Sequence, residues 1–194
     1  MRRWGPCTDG AAGEGSATSD TGSLRAPEGC TDVVPEGTRT TDLTVRPSLG
    51  PEEYPALVAI WRSAVDATHD FLAEADRNAI EARLASDYFP AVALSVAERD
   101  GRPVGFFGVL DGKLEMLFVD AAARDGGIGT VLLAHAIEER GVTAVDVNEQ
   151  NVSAAGFYVH RGFEVVGRSE TDEAGRPYPL LHLRLSADRS SPDA

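Results

Sequence analysis

Apolar positions along this chain change period from segment to segment, and the changes coincide with turn residues. "DLTVRP" (42–47) reads as a short strand stopped by Pro47. In "PEEYPALVAIWRSAV" (51–65), Leu57, Ile60, Trp61 and Ala64 recur at helical spacing. Glu52 and Glu53 stand near its N-terminus, where the macrodipole favours acids. "AEADRNAIEARLASDYF" (73–89) predicts a second helix. The connecting "DATHDFL" (66–72) is too polar for core and too apolar for a plain linker. From Ala91 to Asp120, three β-rich runs are separated by "RDG" and "DG", so three antiparallel strands joined by hairpins are predicted. "GIGTVLLAHAIEERG" (127–141) is a helix closed by Gly141, "TAVDVN" (143–148) a strand, and "NVSAAGFYVHRG" (151–162) a helix ending at Gly162. "FEVVGRSE" and "PLLHLRL" are two last strands joined by "TDEAGRPY". The order β-α-α-β-β-β-α-β-α-β-β predicts an α/β domain, a mixed sheet covered by helices.

Outside this pattern lie two polar ends. Residues 1–41 are rich in Gly, Ser, Thr and acids, with Trp4 the only aromatic, and such a stretch buries too little apolar surface to offset the entropy of ordering. They are expected to form a disordered tail, residues 42–185 the folded domain, and residues 186–194 a polar C-terminal tail. Cys7 and Cys30, the only cysteines, fall in the first tail and match neither a zinc site nor a redox pair, so they read as incidental thiols. The formal net charge of −13 and the single lysine, Lys113, disfavour a nucleic-acid partner. No apolar run is long enough to cross a bilayer, and "MRRW" is followed by "GPCTDGAAGEGS" where a signal peptide needs an apolar segment, so a cytoplasmic protein is expected. Four scattered histidines without ligand spacing give no metal site. His135 reads as structural, His160 and Arg161 as an exposed helix end.

Three glycines, Gly126, Gly127 and Gly129, stand directly before an apolar helix pattern. The first helical turn carries N–H groups without partners and partial positive charge, and glycines let an anion touch several of them at once. The natural guest is a phosphate or pyrophosphate, with Arg124 adding full charge. A Walker A loop fails because Gly129 is followed by Thr130 and Val131 instead of a lysine. A dinucleotide fingerprint fails because Leu132 holds its third glycine position. Arg-x-x-Gly-x-Gly fits, as Arg124, Gly127 and Gly129, and one strand later Asn151, Ala154, Phe157, Tyr158, Gly162 and Phe163 complete a second pattern. Together these resemble the pyrophosphate loop and second signature helix of the GNAT superfamily of acetyl-CoA-dependent N-acetyltransferases. "VDATHDFL", "DVNEQN" and "GRSETDEAGRPYPLLHL" further resemble the bacterial YjaB-type acetyltransferases, over nearly the whole of residues 43–185.

The resemblance implies a GNAT fold, a central mostly antiparallel sheet with one parallel β-α-β crossover and helices on both faces. It also implies acetyl-CoA as a co-substrate, with no permanently bound cofactor, and a primary amine, a protein lysine among the options, as acceptor. Leu117, Phe118, Val119, Arg124, Asp125, Gly126, Gly127, Ile128, Gly129, Thr130, Asn151, Ala154 and Phe157 would hold the acetyl-CoA. A backbone N–H of Leu117 or Phe118 would stabilise the oxyanion. Tyr158 would hydrogen-bond or protonate the leaving thiolate, whose pKa near 8.5 lies within reach of a phenol. A lysine-like amine is free base at pH 7 at a cost of about 4.6 kcal/mol, so a base acting through water would raise the rate. Glu115 is the candidate. Alternation places it with Leu117 and Val119 on one face of its strand and Leu114, Met116 and Phe118 on the other. The alternative for Glu115 is a solvated edge acid. His69, Asp70 and Phe71 are candidates to shape the acceptor site, against a reading of His69 and Asp70 as capping or surface groups. A protein this acidic steers cations toward itself, which fits an amine without choosing among protein lysines, polyamines, aminoglycosides and amino acids. The rival reading is a non-catalytic acetyl-CoA-binding sensor or partner-binding module of the same fold, which needs neither Tyr158 nor Glu115. The sequence leaves the oligomeric state open.

Overall fold

The computed structural model describes residues 43–124 and 126–186. The expected N-terminal tail with Cys7 and Cys30, the site candidate Asp125, and residues 187–194 lie outside the described residues. Of the expected C-terminal tail only Ser186 is described, and it is tied to the domain by its N–H to Gly162 O (2.9 Å) and its Oγ to Glu164 (2.6 Å).

The elements run β1 Leu43–Pro47, α1 Tyr54–Asp66, α2 Glu74–Arg83, α3 Phe89–Ala91, β2 Ala93–Arg99, β3 Arg102–Leu110, β4 Lys113–Val119, α4 Ile128–Arg140, β5 Ala144–Asn148, α5 Val152–Val159, β6 Phe163–Ser169 and β7 Leu180–Leu185. The sheet order is β1-β2-β3-β4-β5-β7-β6. Every neighbouring pair is antiparallel except β4 and β5, which the α4 crossover makes parallel. The hairpins β2–β3 and β3–β4 turn on Asp100-Gly101 and Asp111-Gly112, all four residues at positive φ as a two-residue primed turn requires. The single helix predicted over 73–89 is interrupted. A π turn at Leu84–Tyr88, closed by Phe89 N–H to Leu84 O, widens the helix so that Leu84 and Phe89, five residues apart, are both buried in the same cluster.

Each face of the sheet carries its own core. On one, α1 packs Leu57, Ile60, Trp61 and Val65 against Val96 and Phe106, joined by Leu84, Phe89 and Tyr178. On the other, α4 packs Ile128, Leu132, Leu133 and Ala136 against Phe107, Val109, Leu114, Val145 and Leu183, and α5 adds Tyr158. Among the described residues no helix is long and apolar enough to cross a membrane.

Two irregularities position the site. The β3–β4 register pairs Gly108 with Met116 and Val109 with Leu114, so Glu115 is an extra, bulged residue. This corrects the face assignment from simple alternation. Leu114 packs in the α4 core with Leu117 and Val119, whereas Met116 and Phe118 pack on the α1 side. Glu115 joins the α1 side, beside Lys113 and Asp146, because the extra residue resets the period. The second irregularity follows the first. β4 and β5 pair only at Lys113–Ala144 and Leu114–Val145, and part from Glu115 onward.

Candidate active site

α4 begins at Gly127, whose φ of 72° closes the loop in the left-handed region that favours glycine. Its carbonyl accepts from Thr130 N (3.0 Å) and Val131 N (3.1 Å), and the N–H groups of Ile128 and Gly129, donors of the first turn, have no hydrogen-bond partner among the described residues. Above them lies a cavity of about 420 Å³, lined by Gly127, Ile128, Gly129 and Thr130 on the floor. Leu117, Phe118 and Val119 form one wall, and Asn151, Ala154, Phe157 and Tyr158 from α5 the opposite one. Gly126 is not part of the lining. A Cβ there would lie 3.0 Å from a guanidinium nitrogen of Arg99. A Cβ on Gly129 would meet only Phe157 at 3.6 Å and Val119 at 3.9 Å, ordinary contacts with two lining residues.

Two arginines, Arg124 and Arg161, line the cavity. Arg124 is anchored by a bond from Nη2 to Ala64 O (3.0 Å). Arg161, which sequence reading left as an exposed helix end, instead lies across the mouth. Its guanidinium sits 3.9 Å over the Phe157 ring, donates to Phe157 O (3.3 Å) and to Thr130 Oγ1, and has a buried Nε without a hydrogen-bond partner among the described residues. No local pattern announces this, because Thr130 is 31 positions away in sequence and the contact is tertiary.

The wall contributed by β4 has a defined polarity. Asp120 N–H donates to Val104 O (3.0 Å), and the register continues as Val119–Gly105, Phe118–Phe106, Leu117–Phe107 and Met116–Gly108. Bonded and non-bonded pairs alternate along an antiparallel ladder. Phe118 and Met116 therefore bond to β3, while Leu117 and Val119 turn their N–H and C=O toward the gap that β5 has left. Asn151, which lines the cavity, caps α5 with its Oδ1 accepting from Ala154 N (3.1 Å), and its amide NH₂ has no partner among the described residues.

A second, smaller cavity of about 120 Å³ opens on the α1 side, lined by Glu115, Met116, Asp146 and Asn148 among others. Six residues border both cavities: His69, Leu117, Phe118, Asn151, Ala154 and Tyr158. Tyr158 is therefore at the junction, and burial pushes its phenol well above its ordinary pKa. His69 is the other titratable side chain there. Burial, helped by the charges of Arg77 and Arg124, lowers its pKa to about 4, so the imidazole is neutral at pH 7. Thr68 Oγ1, which donates to Ala64 O (2.7 Å), lies 2.8 Å from His69 Nδ1.

The acceptor-side candidates divide. His69 lines both cavities. Phe71 supports it, its ring 5.3 Å from His69 and 6.3 Å from Tyr178. Asp70 is exposed and borders neither cavity. Glu115 faces Lys113 Nζ at 3.3 Å; burial, with the nearby charges of Glu173 and Asp146, raises its pKa against the opposing pull of Lys113. Sequence reading missed Asp146. Burial raises its pKa, but hydrogen bonds from His182 and Lys113 outweigh this and leave the carboxyl below its ordinary range. Lys113 Nζ lies 2.9 Å from its Oδ2, His182 Nδ1 2.7 Å from its Oδ1, and His182 Nε2 bonds Ser169 Oγ at 2.7 Å. These contacts fix the carboxylate in the slot wall.

Comparison with known proteins gives the same arrangement a family. Residues 60–179 match the family model described as an acetyltransferase (GNAT) domain. The peptidyl-lysine N-acetyltransferase YjaB of Salmonella typhimurium (strain LT2) is 48% identical over 133 residues, covering 68% of this chain and 91% of that protein. The protein of the same name from Escherichia coli (strain K12) is 47% identical over 134 residues, 68% and 90% of the two chains. Among solved structures, the apo-form of E. coli YjaB superposes with a TM-score of 0.68 at 43% identity, over 74% of this chain and 97% of that one. The PaiA N-acetyltransferase of Thermoplasma acidophilum in complex with coenzyme A shares the fold, with a TM-score of 0.59 at 19% identity over 75% and 99%. Strand order, parted strands, glycine-led helix and these matches agree: the chain belongs to the GNAT family of acetyltransferases.

Proposed function

We propose that the protein moves an acetyl group from acetyl-CoA to the side-chain amine of a protein lysine, by direct attack in a ternary complex. The observation that carries this reading is the junction of the two cavities, where Tyr158 meets the open backbone edge of Leu117. The diphosphate of acetyl-CoA would lie on the first turn of α4 between Arg124 and Arg161. Its pantetheine amides would pair with the free groups of Leu117 and Val119 like an added strand, with the Asn151 amide near the thioester. The carbonyl would then reach the Leu117 N–H, the donor whose direction suits the developing oxyanion, whereas Phe118 directs its N–H to β3.

The leaving thiolate falls to Tyr158. A phenol raised by burial is a poor full proton donor to a sulfur whose own pKa is near 8.5. Its contribution is a hydrogen bond to the developing anion, worth about 1.5–3 kcal/mol. No covalent acyl-enzyme is needed in this scheme.

Three things support a lysine acceptor. The slot is small, about 120 Å³, which suits a single aliphatic side-chain amine better than a multi-ring amine. Its wall carries the carboxylates of Glu115 and Asp146, which attract an ammonium. And the similar YjaB proteins are named as peptidyl-lysine enzymes. The cytoplasm is the compartment proposed for this reaction. The test is release of CoA thiol on mixing acetyl-CoA with lysine peptides, polyamines and aminoglycosides, with mass spectrometry locating the acetyl group. Acetylated lysine peptides are the expected product. Binding of acetyl-CoA without turnover on any amine rejects catalysis, and exclusive turnover of a small amine rejects the lysine.

A further inference from the structure

We infer that His69 is the catalytic base: its Nε2 takes the proton that the acceptor nitrogen sheds once it has attacked the thioester carbonyl. This rests on the acetyl-transfer reading above and adds to it the identity of the proton acceptor.

Place and tautomer both point to His69. It is the one imidazole among the six residues bordering both cavities, so it stands where acceptor nitrogen and thioester would meet. The hydroxyl of Thr68 spends its single hydrogen on Ala64 O, so toward His69 it acts as acceptor. Nδ1 must then carry the imidazole hydrogen, and Nε2 keeps the lone pair. Phe71 flanks the ring, and the Arg77 guanidinium, which donates to His69 O (3.3 Å), fastens the backbone beneath it. Glu115 is less suited. Its carboxylate is ion-paired to Lys113, and a proton arriving there would break that pair.

The step balances without a further reactant. The neutral amine forms the C–N bond, and the carbonyl becomes an oxyanion. An N–H proton passes to Nε2, the C–S bond breaks, and the thiolate departs hydrogen-bonded to Tyr158. The imidazolium then gives its proton to the thiolate, and His69 returns to neutral. The charges acting on His69 are Arg77 from α2 and Arg124 from the loop before α4; Glu115, Asp146 and the neutral Tyr158 phenol line the same cavity. Arg124 helps keep the free imidazole unprotonated, and a diphosphate beside it would offset that charge. Bound acetyl-CoA thus makes His69 the stronger base.

The experiment uses the full chain and two variants. His69→Asn keeps a side-chain N–H for Thr68 but has no base at the Nε2 position, and His69→Gln has an amide there. Expected are a fall in kcat of about 100-fold or more, coenzyme A affinity within threefold of the parent chain by calorimetry, and partial recovery of kcat on adding free imidazole. A proton on Nε2 instead of Nδ1 in nitrogen-15 spectra of the imidazole overturns the inference whatever the turnover. Variants with kcat within threefold of the active parent overturn the base alone. Loss of kcat without recovery by imidazole overturns it in favour of a positioning role. A parent chain inactive on every amine overturns acetyl transfer and the base with it.

Discussion

Gly129→Ala separates the demands of folding from those of binding, because the structure gives the two effects opposite signs. Gly129 is the second residue of α4 at a helical φ, and its nearest foreign atoms to an added methyl are the Phe157 ring at 3.6 Å and Val119 at 3.9 Å. Nothing in the protein needs to move. Alanine is the better helix former by up to about 1 kcal/mol, which for a domain of this size raises Tm by about 2–4 °C. The same methyl tilts toward the helix N-terminus and stands over the donors that a diphosphate must approach to about 3 Å. Loss of one charge-assisted bond costs about 1.5–3 kcal/mol, or roughly 10- to 150-fold in affinity. Thermal unfolding of the free protein and calorimetry with coenzyme A read the two effects separately. Gly127→Ala is the contrast. There a Cβ has nothing within 4 Å, but φ is 72°. The left-handed conformation costs a non-glycine residue about 1–2 kcal/mol, so Tm falls. Gly129→Ala with unchanged coenzyme A affinity, or with a lowered Tm, refutes the assignment of this glycine to ligand approach.

Three further outcomes follow from the site. Tyr158→Phe lowers kcat by about 10- to 150-fold through loss of the bond to sulfur and leaves coenzyme A affinity within threefold; equal loss of both in kinetics and calorimetry removes Tyr158 from the leaving-group step. Arg161→Ala weakens coenzyme A binding by about tenfold and flattens its salt dependence, and an unchanged salt slope in calorimetry contradicts a diphosphate contact. The depressed pKa of His69, about 4 against an ordinary 6.5, means the unfolded chain binds its proton first, so this contribution to stability is whole above pH 6.5 and lost as pH falls toward 4. That amounts to about 3 kcal/mol. Urea unfolding at pH 7.5 and 4.5 checks it, since His69→Asn must lose less stability across that interval than the parent chain.

Much of the fold was legible because local chemistry and global position agree. The Asp-Gly pairs name their own hairpins, the glycine before an apolar helix names the left-handed turn on which α4 opens, and the apolar stripe of α1 faces the sheet as its spacing requires. The failures share a cause: a residue whose neighbour is far away in sequence. Alternation misplaced Glu115, since a bulge is a property of two strands and leaves no mark on one. The π turn answers to where Leu84 and Phe89 must both be buried. Arg161 resembles any charged helix end until Thr130, 31 positions away, meets its guanidinium. Asp146 resembles a strand acid until Lys113 and His182 close on it. Asp70 shows the converse, a polar residue beside the cavity-lining His69 that the chain turns outward.

The bulge also accounts for the gap in the sheet, and removing Glu115 tests that account. Deletion joins Leu114 directly to Met116. Leu114 stays on the α4 face with Leu117 and Val119, and Met116 and Phe118 stay on the α1 face, so no core residue changes sides. The β3 pairs Gly108–Met116 and Val109–Leu114 become consecutive steps of an uninterrupted ladder. A regular β4 loses the local bend and added twist that a bulge imparts, so it can continue alongside β5 past Leu114 and engage the groups that Leu117 and Val119 leave open. The shortened chain is expected to keep its far-ultraviolet circular dichroism and a Tm at or above that of the parent, yet lose coenzyme A affinity at least tenfold. The pantetheine strand would have no edge to join. If the deletion unfolds the protein, the face assignment around Glu115 is wrong. If it folds and still binds coenzyme A at parental strength, the opening between β4 and β5 has another origin, because removal of the one residue that the core does not require would then have left it intact.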